Sequence, residues 1–362
     1  LVIQENDRDV GKWQGVFDNL FKLHLIPIIR LATKPEGQNW RAPAENEAGE
    51  WATFLTRLTW VTKNRYVILF NEPNHDNEWG GRVNPEEYAR VALSFARAIK
   101  EKNSDFYVML AGLDQIAPNI EPTNLSEEEF IRRMLSSLSN DELTELSGKI
   151  DGLSSHSYPN PGFVGSADGY GKGSVRGYQW EKEVYRLNGL PKDLPVFITE
   201  TGWDQNVLGE EQTAQNMKSV FQNIWLKDDN VVAVTPFLLN YQGDPFLGFS
   251  WRKLNLPDYY QIYNTIKDIS KVSGMPELET KFELLSVLPT KLIVSSEYTF
   301  TFRVKNTGRS VWSSNEGFAF ALSSADNFQY HFATVTNVEP LEERNIVLFL
   351  KTPDAIGKRT LY

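Results

Sequence analysis

Up to Ile269 the chain alternates between two hydrophobic rhythms, and beyond Gly274 it keeps only one. Short apolar runs rich in β-branched and aromatic residues predict buried strands at Leu1–Asn6, Leu25–Leu31, Tyr66–Phe70, Phe106–Ala111, Ile150–Ser157, Val196–Thr199 and Val231–Leu239. Between them, apolar residues recur at helical spacing. The stripes are Trp13/Val16/Phe17/Leu20, Trp51/Phe54/Leu55/Leu58, Tyr88/Val91/Ala92/Phe95/Ile99, Phe130/Met134/Leu138, Met217/Val220/Phe221/Ile224 and Tyr259/Ile262/Ile266/Ile269. Tyr178–Leu187 reads as one more helix. Asn84, Pro85 and Glu87 form a helix-start signal, as do Ser126 and Glu129.

This alternation predicts an α/β fold with a parallel sheet, and the number of units points to a (β/α)₈ TIM barrel. Seven strands are visible, and Leu1 is not a start methionine, so the first strand is expected to precede the chain. On that count Glu72 ends strand 4 and Glu200 ends strand 7. After Gly274, Tyr298, Phe300, Phe302 and Val304 alternate with Thr299, Thr301 and Arg303, and Asn306-Thr307-Gly308 marks a turn. Phe318/Phe320/Leu322, Tyr330/Phe332 and Asn345–Leu350 add strands with no helical stripe between them, the pattern of a small β-sandwich. The expected organisation is a barrel over 1–272, a linker over 273–281 and a sandwich over 282–362 that is itself cut short.

Hydrophobic content of 41% and charged content of 23% are those of a globular protein, in a chain of 362 residues that has room for a barrel and a small companion. The net charge of −10 argues against a nucleic-acid partner, which needs a basic face. No apolar run approaches the roughly 20 residues that span a bilayer. Without cysteine there is neither a disulfide nor thiolate chemistry. Aromatic residues reach 12%, with ten Trp, and Trp40, Trp79, Trp203 and Trp251 all follow predicted strands, on the face where a substrate would sit.

The chemistry lies in two carboxylates. Tyr66–Asn74 reads YVILFNEPN, and Pro73 must end the strand because it cannot donate to a ladder. Pro195–Trp203 reads PVFITETGW and sets Glu200 at the end of a second apolar run. Strand ends of parallel sheets are where such folds build their sites. Two carboxyls converging from opposite strands suit acetal hydrolysis, one as acid and the other as nucleophile, separated by roughly 5–5.5 Å in retaining enzymes. His75, Asp76 and Glu78 match no metal-site spacing and read as a polar loop. Gly169–Ser174 lacks the order of a phosphate loop and reads as part of a loop over the cleft.

The NEP ending strand 4 and the TE-turn ending strand 7 resemble the retaining (β/α)₈ glycoside hydrolases of clan A, and NEPN with its Trp-containing loop resembles family 39. The resemblance covers roughly residues 1–272. It implies that Glu72 is the acid/base, Glu200 the nucleophile and Asn71 the partner of the sugar 2-hydroxyl, with no cofactor or metal. From SSHSYP it implies site roles for His156 and Tyr158, the tyrosine orienting Glu200. The clan's strand-2 Arg is absent, with Arg30 as a substitute, and so is its strand-8 Trp, whose place falls to Asn240, Tyr241 or Trp251. The C-terminal segment resembles the Ig-like modules of bacterial secreted and surface enzymes, which implies an extracellular, cell-surface or periplasmic location. The resemblance implies a carbohydrate substrate and leaves open hydrolysis, transglycosylation and a glycan-binding protein without turnover.

Overall fold

The computed structural model of the protein describes residues 1–190, 193–270, 272, 274–286, 289–322, 328–333 and 337–358. The chain divides into two compact units, one of Leu1–Val10, Ile28–Arg57 and Arg65–Met275, the other of Gly11–Pro27, Leu58–Asn64 and Pro276–Tyr362.

The first unit is a mixed α/β structure around parallel strands. In chain order its strands are β1 (Val2–Gln4), β2 (Ile28–Ala32), a hairpin of β3 (Pro35–Glu36) and β4 (Asn39–Trp40), β5 (Arg65–Leu69), β6 (Phe106–Leu110), β7 (Leu153–His156), β8 (Val196–Glu200) and β9 (Val231–Val234). The long strands pair in parallel in the orders β1-β2-β5-β6 and β7-β8-β9, and a parallel bridge from Met109 to Gly152 links the two runs. Among the described residues no ladder returns from β9 to β1. The sheet is nevertheless strongly curled. Tyr66 of β5 and Phe197 of β8 have ring centroids 5.4 Å apart, whereas strands three places apart in a flat sheet are separated by about 14 Å. Tyr107 of β6 closes the triangle at 5.1 and 5.4 Å, and Ile28, Ile68, Met109 and Ala233 pack around it.

The helices are α1 (Val10–Lys22), α2 (Ala48–Arg57), α3 (Pro85–Lys102), α4 (Glu127–Ser136), α5 (Asn140–Lys149), α6 (Gly177–Leu187), α7 (Gln205–Leu208), α8 (Glu210–Asn223) and α9 (Gln261–Lys267). The start of α3 follows its sequence signal: the Asn84 side chain accepts from the Glu87 amide at 3.1 Å, and Pro85 occupies the first turn. Tyr88, Val91, Ala92, Phe95 and Ile99 are all buried. The sequence pattern missed α5, which buries only Leu146 and therefore shows no stripe. Its start was legible as a capping box, Ser139 with Glu142. No helix among the described residues is long and apolar enough to cross a membrane.

The second unit holds α1 and an antiparallel sheet of β10 (Phe282–Leu284), β11 (Glu297–Asn306), β12 (Gln329–Phe332) and β13 (Glu343–Lys351), in the order β10-β11-β13-β12. Phe302, Val304, Trp312, Val338, Ile346, Leu348 and Leu350 form its core. The predicted sandwich needs two facing sheets; among the described residues of this unit there are this sheet and bridges from Trp312 to Val338 and from Thr62 to Leu278. In α1, Phe17 packs edge-on against Trp60 at 5.0 Å, and Asp18 pairs with Arg309.

Candidate active site

The site is assembled from the middle of β2 and the C-terminal ends of β5, β7 and β8, all in the first unit. β5 stops at Leu69, and the chain turns sharply, with positive φ at Phe70 (74°) and Glu72 (30°). These are costly conformations for side-chain-bearing residues and persist only where the surroundings impose them. Here the Glu72 amide donates to Gly112 O at 3.0 Å, and buried Asn74 donates to Asp114 O and Leu125 O while accepting from the Asp114 amide. Pro73, buried and without a donor, ends any ladder. On β7 the register shifts between Ser155 and His156, so that His156 pairs with Glu200 of β8. Gly112 must be glycine, because a Cβ there would lie 2.4 Å from the His156 ring.

The side chains that converge form one network. His156 Nδ1 lies 2.7 Å from Glu72 Oε1, and its Nε2 lies 3.9 Å from Glu200 Oε1. Tyr158 donates its hydroxyl to Glu200 Oε2 at 3.1 Å. Arg30 Nη1 donates to Glu200 Oε1 at 3.0 Å and also to Asn71 Oδ1. One oxygen from each carboxylate and one His156 nitrogen lie within 4.8 Å of one another. Arg30, Asn71, Glu72, His156, Tyr158 and Glu200 thus share one cluster, with Glu200 at its centre.

The charges explain the arrangement. His156 is only 3% exposed, and burial alone would lower its pKa; the Glu200 charge and the hydrogen bond and charge of Glu72 outweigh this and raise it to about 9. Its imidazolium therefore lies between the two carboxyl groups at neutral pH. Tyr158 is pushed well above the usual phenol value by burial and by Glu200, which keeps its proton on the oxygen as a donor. Behind Glu72, His75 places its ring nitrogens 2.6 Å from Asn124 Oδ1 and 2.9 Å from Asp114 Oδ2. Burial opposes the charge on His75, but Asp114 and Glu72 raise it to about 9.

Three atoms within 4.8 Å also suggest a divalent cation. Glu200 Oε1 already accepts from the Arg30 guanidinium, which brings a positive charge of the protein's own to that oxygen.

The tryptophans expected to floor a sugar site separate into two groups. Trp79 and Trp203 are 1% and 2% exposed, so neither offers a ring face to a ligand, a correction to the sequence reading. Each indole N–H has found an internal partner: Trp79 donates to Glu87 Oε2 at 3.1 Å and Trp203 to Gly165 O at 2.8 Å. Trp40 is half-buried in β4, and its carbonyl accepts from Gly80. Half-buried Trp251 exchanges backbone hydrogen bonds with Leu238 and Tyr260, and exposed Asn240 accepts from Gln242; none of these bonds reaches the carboxylates. Sequence reasoning passed over His75 and Glu78 as a polar loop, and both face the cluster. It also gave no part to Glu127 and Glu181, two fully buried carboxyls whose charges act on each other.

No family model matches the chain, and neither does any curated protein. The chain is similar in structure to a family 39 glycoside hydrolase from Bacteroides cellulosilyticus WH2, with 14% identity over 97% of this chain and 74% of that one and a TM-score of 0.45. A monomeric β-xylosidase from Caulobacter crescentus CB15 gives 12% identity over 96% of this chain and 85% of that one, with a TM-score of 0.47. A family 44 xyloglucanase from Paenibacillus polymyxa gives 12% over 94% and 83%, with a TM-score of 0.43. At such scores and identities the chemistry of the site rests on its own side chains.

Proposed function

We propose that the protein is a retaining glycoside hydrolase acting on β-linked polysaccharides or oligosaccharides, and that the curled sheet belongs to a (β/α)₈ barrel. The observation that carries this reading is the spacing of Glu72 and Glu200. One oxygen of each carboxyl lies within 4.8 Å of the other, closer to the roughly 5–5.5 Å pair of retaining enzymes than to the gap of about 6.5–9.5 Å in which inverting enzymes seat a water.

Glu200 is the nucleophile. Tyr158 and Arg30 each hold one of its oxygens, which fixes the carboxylate plane and leaves its lone pairs facing the anomeric carbon. Glu72 is the acid/base. In the first step Glu200 bonds to the anomeric carbon, the glycosidic C–O bond breaks, and the leaving oxygen takes the proton of Glu72. In the second, Glu72 takes a proton from water, the water oxygen bonds to the anomeric carbon, and Glu200 leaves. Both steps balance without a metal or redox cofactor. Asn71 is assigned to the sugar 2-hydroxyl, whose hydrogen bond strengthens as the ring approaches an oxocarbenium ion. His156 balances the charge of the pair, and Trp40 is the indole we assign to the sugar face.

The test is a panel of aryl β-glycosides and β-linked polysaccharides, with the anomer of the first-formed product read by proton NMR. Release of the β-anomer supports the reading. Release of the α-anomer, or glycan binding without turnover by the folded chain, overturns it.

A further inference from the structure

Phe163, in the loop that follows β7, has φ of +59°, next to Gly162 at +63°. This left-handed conformation is costly for a residue with a large side chain and persists only where the surroundings impose it. Here they do so from several sides. The Asp204 amide donates to Phe163 O at 3.1 Å, the Gly165 amide to Pro159 O at 2.8 Å and the Asn160 amide to Gly173 O at 2.9 Å. The indole of buried Trp203 donates to Gly165 O at 2.8 Å. A Cβ on Gly165 would lie 2.3 Å from Asn160 O, so the loop closes this tightly only with glycine there. Trp203, which offers no ring face of its own, thus belongs to the frame that holds Phe163.

What the frame holds is a phenyl ring that stays 37% exposed. Its centroid lies 5.1 Å from that of Tyr158 at 76° and 5.2 Å from that of half-buried Phe249 at 86°, and Tyr158 and Phe249 are 6.2 Å apart at 83°. The three rings meet edge-on, an arrangement that aromatic quadrupoles favour. Tyr158 in turn donates to Glu200, so Phe163 stands one ring away from that carboxylate. A residue kept only for packing gains by being buried at an ordinary φ. Phe163 has neither advantage, and its exposed ring borders the cluster of carboxyls.

We propose that Phe163 is a substrate-binding residue, whose exposed ring packs against the apolar C–H face of the sugar unit next to the one that bonds Glu200. The substrate is then a chain of sugar units rather than a lone glycoside. This rests on the glycosidase reading for the identity of the ligand; the framed and exposed ring beside Tyr158 does not depend on it. A partner of any other kind seated on Phe163 would cover the approach to Glu200.

Two measurements decide it. In protein carrying fluorophenylalanine, with Glu200→Ala to keep the glycan intact, the ¹⁹F signal of Phe163 is identified by its loss in Phe163→Gly. It is then followed as cellohexaose, xylohexaose, mannohexaose or laminarihexaose is added, and at least one of these should move it saturably. In kinetics on a hexaose that the parent cleaves, Phe163→Gly should raise KM roughly tenfold with kcat within about threefold, the pattern of a lost binding contact. Phe163→Trp, which keeps an aromatic face, should hold KM near the parent value. Glycine relaxes the positive φ, so Phe163→Gly should melt no lower than Phe163→Ala, which separates loss of the ring from loss of the fold. A Phe163 signal that no hexaose moves overturns the inference, whether or not the parent cleaves a glycoside. A loss confined to kcat overturns it too, and would mean that Phe163 only packs on Tyr158. A parent inactive on every glycoside sinks the glycosidase reading and leaves the fluorine signal to judge Phe163.

Discussion

Replacing His156 by glutamine keeps a polar side chain of similar reach and removes the positive charge between Glu72 and Glu200. A charge-assisted hydrogen bond, present in the parent at 2.7 Å to Glu72, is worth about 1.5–3 kcal/mol. The expected fall in kcat/KM is therefore roughly 10–100-fold. Stability carries a sharper signature. The His156 pKa is raised from 6.5 to about 9 in the fold, so its contribution is fully present below pH 6.5 and is lost as pH rises through 9. Each tenfold change in proton affinity is about 1.4 kcal/mol, which makes that contribution roughly 3 kcal/mol. Urea unfolding of parent and His156→Gln should differ by about this amount at pH 6, and the gap should close between pH 7 and 10. His75 titrates in both proteins and cancels in the difference. A gap that stays constant with pH would mean that His156 only packs, and activity within about threefold of the parent would remove it from the site.

Two further perturbations follow from the same contacts. Tyr158→Phe deletes a buried hydroxyl bond to Glu200 worth about 1.5–3 kcal/mol, so kcat/KM should fall roughly 10–100-fold; a loss below about threefold would deny that Tyr158 orients Glu200. Glu127 and Glu181 are held above the usual carboxyl value, first by burial, Glu127 well above it and Glu181 at about 7, so the fold keeps protons that the unfolded chain releases and stability falls as pH rises from about 4.5. In Glu127→Gln that fall should be shallower, with a gain of about 1–3 kcal/mol at pH 8 in urea melts; parallel pH profiles for the two proteins would contradict it.

The elements of the first unit were readable because each rule acts locally. Pro73 and the apolar run before it locate the end of β5, and Asn84-Pro85 locates the start of α3, without reference to any other part of the chain. The tryptophans show where locality fails. Trp79 and Trp203 follow strands as Trp40 does, but only the fold decides that their indole N–H groups are turned inward to Glu87 and Gly165. Arg30 had the right residue type at a strand end, yet its contact with Glu200, 170 positions along the chain, exists because the sheet curls. Glu78 left no sequence signal, since its place beside the charges of Glu72 and Arg30 depends on one turn of 3₁₀ helix and two glycines beyond it.

The central claim is that Glu200 forms a bond to the sugar. It is tested most directly by incubating the protein with a 2-deoxy-2-fluoro β-glycoside carrying a good leaving group, digesting it, and sequencing the labelled peptide by mass spectrometry. The account predicts one added fluorosugar, on Glu200 within the PVFITETGW segment, and none in Glu200→Ala. A label on Glu72, or rapid turnover of natural β-glycosides with no label on any residue, would contradict it.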